Sequence, residues 1–254
     1  MGGAMLRRWI DSGVVDARAV DVLNRTDRAL PDGVRPARVL PEGPLPDVVI
    51  LAMKPQQITE IADKYAERLA GVDMLVSILA GVEEATLAQR FAARAIVRAM
   101  PNLPVAIGKG VVALDSASAA PSARAMIATL MAQLGLVEWV PPAQFDAVTA
   151  LAGSGPAFLY RFIDSLAAAG AFQGVPMDQA LRLALATVEG AGLLAASADV
   201  TPGVLADRVA SPGGSTRKGL DVLDQADALD SLLRATIAAS TRRNAEMAAA
   251  ARGD

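Results

Sequence analysis

The sequence predicts an α/β domain built on a parallel sheet, followed by an all-α domain that packs against a second copy of itself. Three observations carry this prediction. As far as Pro141-Pro142, short β-rich runs alternate with helical patterns, the signature of βαβ units. Beyond that point the pattern is almost entirely helical. Within it, Leu181, Leu183, Leu185, Val188, Leu193 and Leu194 spread around one helix instead of lining a single stripe, so most of its faces need burial. The expected domains are residues 1–142 and 143–254.

The elements follow in order. Met5, Leu6, Trp9 and Ile10 form the apolar stripe of a first helix that stops at Ser12-Gly13. Residues 19–23 read as a strand ending at Asn24-Arg25-Thr26, and residues 37–40 as a short second one. The continuous apolar run from Asp47 to Lys54 predicts a buried strand, closed by Lys54-Pro55. A helix over 56–69, a strand over 74–79, a helix over 83–93 and a strand over 95–100 come next, the last closed by Pro101-Asn102. Residues 111–114 and 136–140 read as edge strands around a helix over 123–134. In the second half, helices are expected over 155–170, 176–196 and 227–249, the first with Pro156 near its start.

Composition restricts the chemistry. The 254 residues include no histidine and no cysteine, which excludes an imidazole base, a thiolate nucleophile and a Cys/His zinc site. No metal site is expected. A net charge of −3, from 24 basic and 27 acidic residues, offers nothing to a nucleic-acid backbone. The Met1–Arg8 segment lacks the apolar stretch of a secretion signal, and no run reaches the ~20 apolar residues of a membrane span. A soluble cytoplasmic protein without membrane or nucleic-acid partners is expected.

Chemistry is therefore left to a cofactor, the backbone and hydroxyl groups. Ser211-Pro212-Gly213-Gly214-Ser215-Thr216 stands before the apolar pattern Leu220, Val222, Leu223, so it reads as a glycine-rich loop opening a helix. Its backbone N–H groups suit a small anion. The plainer reading is a helix-start turn with Ser215 or Thr216 as the cap. Lys218 adds positive charge nearby, its plainer reading being a solvated surface lysine, and Glu189, amid apolar helix residues, reads as a paired interface residue, with a catalytic acid as the second reading. Four further segments end predicted strands, where open α/β sheets bind ligands: Asn24-Arg25-Thr26, Ala52-Met53-Lys54-Pro55, Leu79-Ala80-Gly81 and Met100-Pro101-Asn102. An arginine at the first of these favours a ribose 2′-phosphate; the bland alternative is a polar turn.

With these segments in this order, the chain resembles the pyrroline-5-carboxylate reductases, the last enzymes of proline synthesis. The matching stretches are residues 48–55, 77–82, 97–104, 150–157 and 209–223, and the Ser-Pro-Gly-Gly-Ser-Thr run is the most specific of them. The resemblance implies a Rossmann-like parallel-sheet domain, an all-α dimerisation domain and a homodimer or higher oligomer. It implies reduction of the cyclic imine 1-pyrroline-5-carboxylate to L-proline by NADPH, with NADH as the other donor. Asn24, Arg25 and Thr26 are then expected beside the 2′-phosphate, and Gly2, Ala52, Lys54 and Pro55 along the dinucleotide. Ala80 and Asn102 would face the nicotinamide. Gly214, Ser215 and Thr216 would hold the substrate carboxylate, the Thr216 hydroxyl also reaching the ring nitrogen.

The family opens on a strand followed by Gly-x-Gly-x-x-Gly. Here Gly2 falls on the third glycine, so the resemblance implies a sheet without its first strand and a start at an internal methionine of a longer product. Two other readings stay open. One is a non-catalytic oligomerising remnant without a complete cofactor site. The other is a β-hydroxyacid-type dehydrogenase, whose catalytic lysine on the interdomain helix has no match between Gly155 and Gly170.

Overall fold

A computed structural model describes residues 1–252. The chain forms two compact units, one of Met1–Ser154 with the chain from Ala239 onward, the other of Gly155–Ala238. The first unit runs on to Ser154, past the expected boundary at residue 142, and the last helix also returns its second half to that unit.

In the first unit, β1 (Asp21–Leu23) and β2 (Arg35–Ala37) form a parallel pair. A five-stranded sheet follows in the order β3 (Val48–Leu51), β4 (Met74–Ser77), β5 (Ala95–Pro101), β6 (Gly110–Asp115) and β7 (Gly135–Trp139). All neighbours run parallel except β5 and β6, which are antiparallel with Arg98 opposite Asp115. No strand among the described residues joins β1 to β3. In the dinucleotide-binding strand order, that place belongs to the opening strand.

Alternation along the strands sorts the core into two layers. Met74, Val76, Val97, Ala99, Val112 and Leu114 pack with Met5 and Trp9 of α1 (Gly2–Asp11) and with Ile127 and Met131 of α4 (Pro121–Ala132). Leu75 and Ile96 point the other way. They meet Ile58, Ala62 and Tyr65 of α2 (Ile58–Tyr65) and Leu87 of α3 (Glu84–Ala88). Each fully buried large side chain is worth roughly 1.5–3 kcal/mol, so the two layers define the register of every strand. Two polar bonds fasten α1 to α4: Trp9 Nε1 donates to the Leu130 carbonyl at 2.9 Å, and Arg8 Nε to that of Gln133 at 3.0 Å.

Several elements differ from expectation. The strand expected over 19–23 starts only at Asp21, because Ala17–Ala19 forms a 3₁₀ turn whose start is capped by Asp16 accepting from the Arg18 amide at 2.9 Å. The strand expected over 37–40 lies at Arg35–Ala37, where Asp21 and Arg35 are register partners and form an ion pair at 2.7 Å. The helix over 56–69 opens with a 3₁₀ turn, Pro55–Gln57, and the one over 83–93 shortens to α3. Of the two expected edge strands, β6 lies inside the sheet between β5 and β7, and β7 stands at the edge. A short helix, α5 (Phe145–Val148), and a wide turn over Thr149–Gly153 precede the second unit; neither was expected.

The second unit is helical: α6 (Gly155–Phe172), α7 (Met177–Ser197), α8 (Pro202–Arg208), α9 (Ser215–Asp224) and the first part of α10 (Ala228–Arg252). Pro156 sits inside the first turn of α6, and Gly174 at φ +95° turns the chain into α7. The shared core of α6 and α7 is small: Ala167, Ala180 and Ala184, with Ile163 and Val175 against them. Leu159, Phe162, Phe172, Leu183, Leu193 and Leu194 remain exposed on the single chain. That is a helix pair built to bury its outer faces elsewhere.

Candidate functional site: strand ends and a glycine turn

The first group of candidate residues lies at the carboxyl ends of the strands in the first unit. Gly2 opens α1, and a Cβ there would stand 2.8 Å from that of Ala52, so glycine lets the helix start approach the end of β3. No acidic residue occupies the first turn of α1. Ala52 and Lys54 are exposed beyond β3. The Lys54 amide donates to Gln57 Oε1 at 3.2 Å, which opens the 3₁₀ turn behind Pro55. Ala80 is half-buried after β4.

Two neighbouring positions are occupied by the protein itself. Gly81, at φ +74°, is the point where α10 packs: an added Cβ would meet the Met247 backbone at 3.1 Å. The close approach that glycine permits there is made by a helix. Asn102 is buried, and both ends of its amide are engaged. Its Nδ2 donates to the Ala152 carbonyl at 2.9 Å, and its Oδ1 accepts from the Val111 amide at 2.8 Å. The side chain fastens the end of β5 to β6 and to the wide turn.

At the ends of β1 and β2 lies a cavity of about 230 Å³, lined among others by Asn24, Thr26, Asp27, Arg28 and Arg38. Arg38 Nη1 donates to the Asn24 carbonyl at 3.1 Å and Nη2 to Asp27 Oδ1. Arg25 does not line this cavity; its guanidinium faces Glu60 of α2 at 3.6 Å. The sequence singles out Arg25; Arg38, which it does not, stands directly after β2 and lines the cavity. Two cations beside an amide and a hydroxyl fit the phosphorylated ribose of a dinucleotide.

A buried pair supports the middle of the sheet. Arg98 Nη1 and Asp115 Oδ2 meet at 3.3 Å, and the Arg98 guanidinium lies 4.0 Å from the ring centre of Phe145. Burial pushes the Asp115 carboxyl above its ordinary value, and the adjacent Arg98 opposes the rise.

In the second unit, Gly213 adopts φ +72° and Gly214 is the N-cap of α9, its amide donating to the Ser211 carbonyl at 2.9 Å. No side chain caps this helix, and no acidic residue lies in its first turn. The hydroxyls of Ser215 and Thr216, positions one and two of the helix, are exposed and do not act as the cap. The amides of Ser215, Thr216 and Arg217 thus stand at the positive end of the helix dipole. Behind them Arg217 pairs with Asp207 of α8 at 2.6 Å, and Lys218 with Asp221 at 3.2 Å.

These features define a class: an α/β sheet of the dinucleotide-binding kind and a helical association unit that carries a glycine turn before an uncapped helix start. The comparisons narrow it. A family model described as pyrroline-5-carboxylate reductase dimerisation matches residues 142–247. The pyrroline-5-carboxylate reductase of Thermus thermophilus is 35% identical over 97% of this chain and 95% of its own. That of Aquifex aeolicus is 40% identical over 70% of this chain and 67% of its own. The solved pyrroline-5-carboxylate reductase of Coxiella burnetii superposes with a TM-score of 0.87 at 28% identity, over 96% of this chain and 93% of that one. This chain belongs to the pyrroline-5-carboxylate reductase family, and its second half carries that family's dimerisation domain.

Proposed function

We propose that the chain reduces 1-pyrroline-5-carboxylate to L-proline with NADPH, NADH serving as the weaker donor. The observation that carries this reading is the uncapped start of α9, where a Ser-Pro-Gly-Gly-Ser-Thr turn leaves backbone donors for one carboxylate in a chain without histidine or cysteine. A protonated cyclic imine is already electrophilic, so the protein needs only to orient it and exclude competing geometries. When bound, the reduced nicotinamide supplies the hydride.

The residues divide the work as follows. Amides of Ser215 and Thr216, held open by Gly213 and Gly214, fix the carboxylate of the imino acid. The exposed Thr216 hydroxyl holds the ring nitrogen and orders the water that exchanges its proton. In the first unit, Gly2, Ala52, Lys54 and Pro55 give the dinucleotide small side chains and a cation, and Asn24 and Thr26 stand at its ribose end, with Arg25 turned away toward Glu60. Ala80 lines the nicotinamide side. Asn102 acts there by shaping the end of β5, its amide being engaged within the protein.

The working form is a homodimer or a higher assembly of dimers, in the cytoplasm. Helix α7 has the length and mean hydropathy of a membrane-crossing helix, yet it carries Asp178, Arg182 and Glu189 and lies within the dimerisation match. A second copy, not lipid, is its cover. Expression of this open reading frame in a strain lacking the reductase tests the reading. Growth without proline is the expected result; failure to grow while soluble, dimeric protein accumulates would overturn it.

A further inference from the structure

We infer that Arg38, and not Arg25, is the residue that distinguishes NADPH from NADH, with Asp27 as the internal anion that the 2′-phosphate displaces. The inference rests on the dinucleotide reading above and goes beyond it. Arg25 is turned toward Glu60 at 3.6 Å and does not line the cavity at the ends of β1 and β2. Arg38 does. Its Nη1 is anchored on the Asn24 carbonyl at 3.1 Å, which sets the plane of the guanidinium, while Nη2 is engaged by Asp27.

Asp27 is the weak side of this arrangement. Its side chain is 99% exposed and that of Arg38 52%, so the pair is a surface ion pair of small net worth. A phosphate dianion accepts from the freed Nη2 more strongly than one carboxylate. Thr26 and Arg28 line the same cavity and add a hydroxyl and a second cation. The anchored Asn24 carbonyl holds Arg38 in place whether or not Asp27 is displaced. Asp27 thus lowers affinity for the phosphorylated ribose without touching the unphosphorylated one.

Binding of 2′,5′-ADP and 5′-AMP, measured by calorimetry on the full chain at low salt, tests this without catalysis. Wild type is expected to prefer 2′,5′-ADP. Arg38→Gln is expected to cut that preference about tenfold or more, the loss of one hydrogen bond to a charged group. Asp27→Asn should raise 2′,5′-ADP affinity severalfold and leave 5′-AMP unchanged, a gain that no folding defect mimics. Arg25→Gln should leave the ratio within twofold. If the preference collapses with Arg25→Gln and survives Arg38→Gln, the assignment is wrong. Wild-type binding of both nucleotides with equal affinity overturns it as well, while leaving an NADH-linked reductase intact. Binding of neither nucleotide overturns the dinucleotide reading itself.

Discussion

Replacing Gly213 by alanine isolates the conformation of the turn from every other property of the site. Gly213 holds φ +72°, and an added Cβ would meet nothing within 4 Å, so the substitution introduces no clash. Its whole cost is the left-handed backbone, about 1–2 kcal/mol for a residue with a Cβ. The turn is exposed, so it can relax to a right-handed conformation without unmaking the core. At ~1.4 kcal/mol per factor of ten, the open turn then becomes roughly 5–30 times less populated. Affinity for L-proline, the carboxylate product, falls by the same factor, while affinity for 2′,5′-ADP is unchanged. Gly214→Ala is the control: φ −74° suits alanine, and the new Cβ comes 3.1 Å from the Ser211 carbonyl oxygen, a tight contact without reversal of the backbone. Calorimetric titration of the three proteins with proline reads both effects. Unchanged proline affinity in Gly213→Ala would refute the assignment of the carboxylate to this turn.

Four further outcomes are expected. Thr216→Ala lowers kcat by about a hundredfold and alters its pH profile, whereas Thr216→Ser keeps both; full kcat in the alanine variant would remove the hydroxyl from the reaction. Asp115→Ala leaves Arg98 buried without its carboxylate and costs about 3–5 kcal/mol, read as a lower midpoint in denaturant melts. Gly81→Ala forces a Cβ to 3.1 Å from Met247 at φ +74°, so it destabilises by about 1–3 kcal/mol and raises amide exchange at the end of α10. The Asp21 carboxyl is held below its ordinary 3.8 by hydrogen bonds from Arg35. Because the folded state binds the proton less readily than the unfolded one, this contribution is present above 3.8 and is lost as the pH falls through the folded value. Acid titrations of wild type and Asp21→Asn should therefore converge at low pH.

How much of this was legible in the sequence depended on burial. Strands β3, β4 and β5 announced themselves because Val49, Leu75 and Val97 sit in continuous apolar runs that only a covered sheet requires. Strand β2 was expected but misplaced, over 37–40: Arg35 and Pro36 are exposed, and the strand's position is set by its pairing with Asp21–Leu23. The antiparallel course of β6 is likewise a matter of partner and register, to which a period of two is blind. Helix α10 is alanine-rich, so nothing in its pattern distinguishes residues 228–238 from those that return to the first unit. There Asn244 Nδ2 donates to the Asp146 carbonyl at 3.0 Å. Gly-Gly-Ser-Thr was readable as a glycine turn opening a helix, which is where α9 begins. Which of Arg25 and Arg38 enters the cavity was not, since both are exposed arginines near strand ends and only tertiary placement separates them.

The central claim is a hydride delivered to a cyclic imine whose carboxylate is fixed by the turn before α9. Purified protein given 1-pyrroline-5-carboxylate and NADPH deuterated at the transferable position tests it most directly. The account predicts one L-proline per NADPH consumed, with deuterium on the former imine carbon. Cofactor oxidation that is independent of the imine, or proline without label, would contradict it.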